Sequence, residues 1–390
     1  MSEVRAPVDR AAVLPSHPRL KPALRRAWRS RDTVQFGITL AHAVAVGPLD
    51  TATGSFLALL DGTRGLPLLR EQARAMGLTE DRADAVVARL VAAGLIDDPW
   101  VSEGSAALVR DDPEAMERSR ADLAALSVLH PEPDAGPRLM GARRAARVQV
   151  RGAGRVGAAV AALLSASGVG QVDVWDGGCV EPWDTLPAGL AADQVGERRD
   201  AAGRRLVRAA SPARRSPRLS AEPRGLSLVV LAPRDGLSGY APEPADAEPL
   251  ITTGTPHLYA SVLEGTGVVG PLVVPGVTCC AACMAMRRAE REPGWPRMLA
   301  QWQSGRRAPA PACDAALATT VAGLTATQAL AFLDGGTPPS MGARLELTLP
   351  GLAWDMRPIE PHPDCVCGAM TASVTGYSSS SEEAQATMSG

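Results

Sequence analysis

Lysine is almost missing from this chain: of its 40 basic residues, Lys21 alone is a lysine and the others are arginines. That scarcity removes the phosphate loop of pattern GxxxxGK[ST] and any Schiff-base lysine in the body of the protein. Aromatic residues make up only 3% of the 390 residues, against 38 glycines and 33 prolines, so the core has to be built from small aliphatic side chains. Neither sign of charge dominates. With 40 basic and 42 acidic residues the net charge is −2, which argues against a nucleic-acid coat or a polybasic membrane binder. No apolar stretch follows the opening Met1-Ser2-Glu3-Val4-Arg5, so no secretory signal is expected. The longest uncharged helical candidate, Ala315–Leu333, carries Thr319, Thr320, Thr325, Thr327 and Gln328, a weak bilayer span and a plausible buried helix. The expectation is a soluble, cytoplasmic protein with no membrane partner. A hydrophobic content of 46% with 21% charged residues is near the globular average, and the length suggests two or three domains.

Residues 1–18 read as a flexible arm rich in small residues. From 19 to 98 there is a compact module. Strand candidates at 34–38 and 43–46 are followed by amphipathic segments at 52–60, 66–76 and 81–93, and Gly94 gives the last of these its stop. Two strands and three short helices in this space suggest a winged-helix-like α+β module. A DNA role is disfavoured by charge, since residues 33–98 hold five arginines against eight carboxylates and the would-be recognition helix opens on Glu80-Asp81. A peptide-recognition or docking module suits the charge better. Residues 99–145 read as a linker with one helix around 113–129, residues 146–370 as the second domain, and residues 371–390 as a disordered tail.

At the start of the second domain Val148-Gln149-Val150 reads as a strand, Gly152-Ala153-Gly154-Arg155-Val156-Gly157 as a turn, and the residues from Ala158 as a helix. A second strand, Val172 to Trp175, ends in Asp176. In such a β–turn–α–β unit Gly152 permits the tight turn, Gly154 lets the backbone approach a phosphate and Gly157 lets the helix pack on the strand. The helix N-terminus offers free N–H groups to an anion, and Asp176 can accept from ribose hydroxyls. The turn does not choose between NAD and ATP, and a glycine-rich turn without a ligand has the same pattern.

Seven cysteines is an odd number, and four of them form two close pairs, Cys280/Cys283 and Cys365/Cys367. In a reducing compartment that pattern points to metal before disulfides. Four thiolates suit a tetrahedral structural zinc, with Cys279 and His362 as possible substitute ligands and buried reduced thiols as the alternative. Cys313, followed by Asp314 at the start of a helix, is a candidate nucleophile because a thiol near a helix N-terminus has a lowered pKa; a half-buried free cysteine is the bland reading. The histidines show no spacing that suggests a catalytic pair.

The GAGRVG turn, an acid some twenty residues on and two cysteine pairs bracketing a helix resemble the ThiF/MoeB and ubiquitin-activating-enzyme superfamily over about residues 145–368. The resemblance implies a Rossmann-like ThiF-type domain with a structural zinc, a homodimer, and adenylation of a peptide or small carrier-protein carboxylate with ATP and magnesium. It places Arg199 at the position of the phosphate-binding lysine, Arg155 beside the phosphates, and the magnesium-binding aspartate near Ala232-Pro233-Arg234-Asp235, with Asp235 the nearest acid. It also puts Cys313 near where many members carry a thioester- or persulfide-forming cysteine. The departures are specific: Gly178 replaces the second acid of a D-x-D pair, Asp184 stands for an asparagine, and Pro187-Ala188 for an Arg-Gln pair. An N-terminal winged-helix unit, the CxxC pair, Trp295-Pro296 and His362-Pro363-Asp364-Cys365-Val366-Cys367 resemble more closely the ThiF-like partners of azole-forming cyclodehydratases. In that group the winged helix recognises a precursor leader peptide, and the ThiF-like domain is often inactive as an adenylating enzyme. The readings are therefore an ATP-dependent adenylyltransferase, a non-catalytic scaffold that presents a leader peptide to a cyclodehydratase, and, on the glycine turn only, an NAD-dependent oxidoreductase. None of them has a nucleic-acid partner.

Overall fold

The computed structural model describes residues 14–98, 113–212, 225–305 and 310–369. The expected tail, most of the expected arm and residues 99–112 of the expected linker lie outside the described residues. The chain divides into two compact units, the first made of Met1–Ala146, Leu164–Gln171 and Ala210–Pro223, the second of the remainder.

The first unit opens with β1 (Arg19–Leu20), β2 (Arg26–Trp28), β3 (Val34–Phe36) and β4 (Val44–Val46). Helices α1 (Thr51–Phe56), α2 (Leu66–Ala75) and α3 (Glu80–Ala92) follow, then β5 (Ile96–Asp97). β2, β3 and β4 make an antiparallel sheet in that order, and β1 pairs with β5. Short polar residues set the helix starts: Asp50 accepts from the Thr53 N–H at 2.7 Å and Thr79 from the Arg82 N–H at 3.3 Å. Val34 and Phe36, two apart on β3, meet Val87 and Leu90, three apart on α3, in one buried cluster with Phe56 and Leu69.

Where the sequence suggests a linker with one helix, the described residues hold three: α4 (Pro113–Arg118), α5 (Arg120–Leu129) and α6 (Ala135–Ala145). The apolar face of α6 is narrow, with Ala135, Leu139 and Met140 buried against Leu126. Arg138, Arg143 and Arg144 hide that face in the sequence pattern.

The lone lysine belongs to this unit, and it is buried rather than part of a solvated basic run. Lys21 Nζ donates to the carbonyls of Ser127 at 2.5 Å and His130 at 2.7 Å, at the end of α5. Asp97 on β5 accepts from the Ser127 hydroxyl at 2.9 Å. Burial holds the Lys21 ammonium below its ordinary value and pushes the Asp97 carboxyl above its own. The raised Asp97 value means that its ionised form costs stability at neutral pH, and the cost is relieved as pH falls through the folded value towards 3.8. In urea melts the wild type is therefore expected to gain on Asp97→Asn as pH is lowered through that window. A difference that stays flat there excludes a buried titrating Asp97.

The second unit begins with β6 (Arg147–Arg151), α7 (Arg155–Ala166), β7 (Gln171–Trp175), α8 (Arg199–Ala210), β8 (Leu228–Leu231), α9 (Gly236–Tyr240) and α10 (Pro244–Thr252). It continues with β9 (His257–Leu263), β10 (Thr266–Val273), α11 (Ala281–Arg291), α12 (Trp295–Ser304), α13 (Ala315–Leu333), β11 (Ala343–Thr348) and β12 (Ala353–Pro358). One sheet runs in the order β12-β11-β10-β9-β8-β6-β7. It is mixed: β6, β8 and β9 run parallel, while β9 to β12 form an antiparallel meander. The sequence pattern does not mark the antiparallel half, because β9 and β10 are nearly continuous apolar runs with no alternation to betray an antiparallel face.

Helix α13 has the length and composition of a membrane span. In the fold it packs on β9 and β10, burying Leu317, Val321, Thr325 and Ala329 at fourfold spacing. β6 has β7 on one side and β8 on the other, so the crevice at its carboxyl end is a topological switch point, the usual ligand position in open α/β sheets.

Candidate functional site

The glycine turn sits at that switch point. Gly152 adopts φ +107°, and a Cβ there would lie 1.9 Å from the carbonyl oxygen of Ala232. A Cβ at Gly157 would lie 2.0 Å from the carbonyl oxygen of Gly152. The packing of the turn itself therefore demands these two glycines, whatever binds to it. Gly154 is different. What lies against it is the Arg234 side chain, with Cγ only 2.8 Å from where a Cβ would be.

Arg234 follows β8, and its Nε donates to Asp184 at 2.8 Å while Nη2 donates to Glu181. Asp184 is 2% exposed, and its second oxygen lies 3.5 Å from Nη1 of Arg199. Arg199 in turn donates from Nε to Asp176 at 2.8 Å and from its terminal nitrogens to the carbonyls of Gly177 and Cys179. The other Asp176 oxygen accepts from the Ala153 N–H at 2.6 Å. Arg155 donates to the carbonyls of Trp183 and Cys313, each at 2.7 Å. Burial opposes the charge on Arg234, yet the bonds to Asp184 and Glu181 raise its pKa further. The space left between Gly154, Arg155, Trp183, Asp184 and Arg234 is about 30 Å³, room for a water or two.

The residues expected to serve a nucleotide are thus brought together but engaged with one another. Asp176, expected to hold a ribose, has both oxygens bonded inside the protein. Arg199, expected to reach a phosphate, locks the loop after β7 instead, because three backbone or carboxylate acceptors converge on it from that loop. Asp235 caps α9, accepting from the Leu237 N–H and the Ser238 hydroxyl, each at 3.1 Å. Cys313 precedes the Asp314 cap of α13. Burial pushes its thiol above the ordinary value, with Arg155 opposing, so the lowering expected of a helix N-terminus is not what its surroundings produce. No local pattern in the sequence joins Arg234, Glu181 and Asp184 as a set. Their one signal is a basic residue three positions after β8, where the resemblance calls for an acid.

Arg234 also borders a cleft of about 800 Å³ with Asp235, Tyr240, Trp295, Trp302 and Arg357. Four carboxylates line it, Glu181, Asp235, Glu264 and Glu346, against the two arginines. Asp176 borders a separate, more open cleft of about 490 Å³ beside Trp175 and Asp200.

The second gathering is sulfur. Cys280 caps α11, Cys283 lies in its first turn, and Cys365 and Cys367 come from the chain after β12. The four sulfurs all lie within 4.8 Å of one another. Neighbouring separations are 3.8 Å for 280–283, 3.6 Å for 280–365 and 3.5 Å for 283–367. A tetrahedron with metal–sulfur bonds of about 2.3 Å has edges of about 3.8 Å, so the donor set fits one thiolate-bound ion. Neither substitute ligand joins in. Burial pushes the Cys279 thiol up to about 12, and His362 faces Glu290 through Nε2 at 2.8 Å while Nδ1 accepts from the Asp364 N–H.

Residues 132–222 match the ThiF family. The ThiF segment runs from just before α6 past the end of α8 and so contains the glycine turn, Asp176, Asp184 and Arg199. The resemblance carried by the turn is therefore shown. Solved structures of Escherichia coli MccB cover 90% of this chain and 99% of their own: the complex with AMPCPP and MccA has TM-score 0.65 at 15% identity, and that with ATP 0.64 at 16%. The microcin C7 biosynthetic enzyme MccB with N-formylated MccA gives 0.65 at 16%, with the same coverage. The heterocyclase TruD gives TM-score 0.57 at 19% identity over 91% of this chain and 43% of its own. At these identities the likeness is one of fold. A sequence search of curated proteins finds no match.

Proposed function

We propose that this ThiF-fold chain is a peptide-binding scaffold that works without a nucleotide and presents a precursor leader peptide to a partner enzyme of the cyclodehydratase class. The observation that carries the reading is Arg234: its side chain occupies the mouth of the glycine turn, paired with Asp184 and Glu181, where magnesium and a triphosphate would have to sit. A polyphosphate needs free cations and its metal needs free carboxylates. Here Arg155, Arg199 and Arg234 hold internal acceptors, Asp176 and Asp184 hold arginines, and the adjoining cleft carries an excess of negative charge. The residues present do not fit magnesium ATP in this arrangement, nor the pyrophosphate of NAD.

Peptide binding is supported by the first unit. We take its three-stranded sheet with α1–α3 as the winged-helix-like module, with β2 as the edge available to an added strand. All three residues of β2 are exposed, and Trp28, Ile38 and Leu40 are exposed apolar side chains near it in sequence. An extended peptide added there gains main-chain hydrogen bonds, while side-chain pockets select it. Arg25, Arg26 and Arg31 are exposed around the edge, which favours an acidic leader. The MccB complexes hold MccA and TruD is named a heterocyclase, which is the company this reading expects. The four cysteines, on the same reading, hold a structural zinc that ties the segment after β12 to α11.

Titration of the full chain with magnesium ATP is expected to show no saturable binding at millimolar nucleotide and no pyrophosphate exchange. An acidic leader peptide is expected to bind and to lose about tenfold in affinity in Trp28→Ala. Micromolar ATP binding, or exchange in the presence of a peptide, would reject the scaffold in favour of the adenylyltransferase, whose glycine turn is intact.

A further inference from the structure

The large sheet ends on β12. Among the described residues β12 pairs on one side only, with β11, and all 6 of its residues are exposed. Ile359 donates its N–H to the Gly342 carbonyl at 2.8 Å, in step with the β11–β12 register. In an antiparallel ladder such bonds recur at every second residue. The N–H groups of Asp355 and Arg357 therefore point to β11, and those of Trp354 and Met356 point out from the edge. An open edge of this kind is a template for another strand.

The side chains say which strand fits. On one face the register sets Gly267, Leu347 and Trp354 in one row and Val269, Leu345 and Met356 in the next. α13 covers the β10 end of these rows, where a Cβ on Gly267 would lie 2.4 Å from Val321. The outer end is bare, with Trp354 58% and Met356 59% exposed. The other face carries Asp355 and Arg357, two apart and opposite in sign, both open to water and 2.8 Å from each other.

Such a strand is complementary to itself. Turned about a two-fold axis at Met356, it sets each Asp355 opposite the partner's Arg357. That position is not a hydrogen-bonded pair, so the cross-strand side chains come closest there. The Met356 main chains exchange hydrogen bonds, and each Trp354 N–H meets the carbonyl of the partner's Pro358, which gives no N–H in return. The apolar row continues from Met356 and Trp354 into the second copy. Other registers fail. A centre on Asp355 sets two carboxylates face to face, and a centre on Trp354 runs into the turn at Leu352, where φ is 51°. A slip of one residue opposes the charged face to the apolar one. We propose that two copies of this chain join along β12 into one continuous sheet, antiparallel and centred on Met356. Neither the glycine turn nor β2 takes part in the contact.

Sedimentation velocity on the full chain tests the pairing. The wild type is expected to be a dimer at about 50 µM and to dissociate on dilution, as suits an edge contact at the small end of specific interfaces. Asp355→Arg and Arg357→Asp are each expected to weaken the dimer about tenfold or more, because like charges then face each other on both sides of the axis. Mixed in equal amounts, the two variants are expected to dimerise again, since each arginine of one strand then faces an aspartate of the other. Met356→Pro is expected to break the pair with no change of charge. The N–H it removes points away from β11, and circular dichroism reports whether the fold is intact. That variant also decides the matter should Arg357→Asp fail to fold beside Glu346. A wild type that stays monomeric at about 100 µM leaves the edge to another occupant and overturns the proposal. So do folded single variants as dimeric as the wild type, and so does a mixture of the two charge variants that stays monomeric.

Discussion

Replacing Cys280 and Cys283 together by serine is expected to abolish zinc binding and to lower the melting temperature by about 10 °C or more. Two of the four sulfurs come from α11 and two from the chain after β12, so the ion closes a loop of more than eighty residues. In the apo state the segment around Cys365–Cys367 keeps few apolar anchors: Cys365 and Cys367 pack against a cluster whose buried members are Tyr259, Val273, Cys279, Cys280, Ala281 and Cys283. Loss of the ion exposes that cluster as well as freeing the chain. Metal analysis of the purified protein should return one zinc per chain, and a chelator should reproduce the effect of the substitutions. A wild type that is free of metal and melts at the same temperature as the double variant would remove the centre from the account.

The second large effect is at Gly152. An alanine there would put its Cβ 1.9 Å from the Ala232 carbonyl oxygen, on a backbone at φ +107°. Both faults are in the backbone, which has no cheap way to relax, so a loss of about 4 kcal/mol or more is expected. Gly154→Ala offers the contrast. Its Cβ would meet the Arg234 stem at 2.8 Å, and a flexible side chain can shift for about 1 kcal/mol. A phosphate-cradling turn predicts another pattern, with Gly154 critical to ligand binding and not only to packing. Urea unfolding of the two variants, measured beside nucleotide titration, separates the two accounts. A Gly152→Ala protein as stable as the wild type would show that the turn is looser than the structure describes.

Some of this was legible in the sequence because it is local. The strand Val148–Val150, the spacing of Gly152, Gly154 and Gly157, and the acid at 176 fall within one β–α–β unit, where period and turn chemistry are written in consecutive residues. The helices of the first unit announce themselves by apolar spacing, as at Val86, Val87, Leu90 and Val91 with Gly94 as the stop, and the cysteine pairs by their own short spacings. The three helices from 113 to 145 were less visible, since arginines interrupt the apolar face of α6.

What the sequence determined by itself is the menu: a nucleotide-type turn, a set of four thiols, an N-terminal α+β module and almost no lysine. What only the tertiary structure decided is how those parts are used. Arg234 stands 80 residues beyond Gly154, and nothing in either neighbourhood says that its stem will lie on that glycine and its charge between Asp184 and Glu181. Hydrogen-bond satisfaction and charge pairing are short-range, within about 4 Å, whereas the partners are placed by the path of the whole chain. A sequence therefore states which groups exist, and the fold alone states which of them are already engaged.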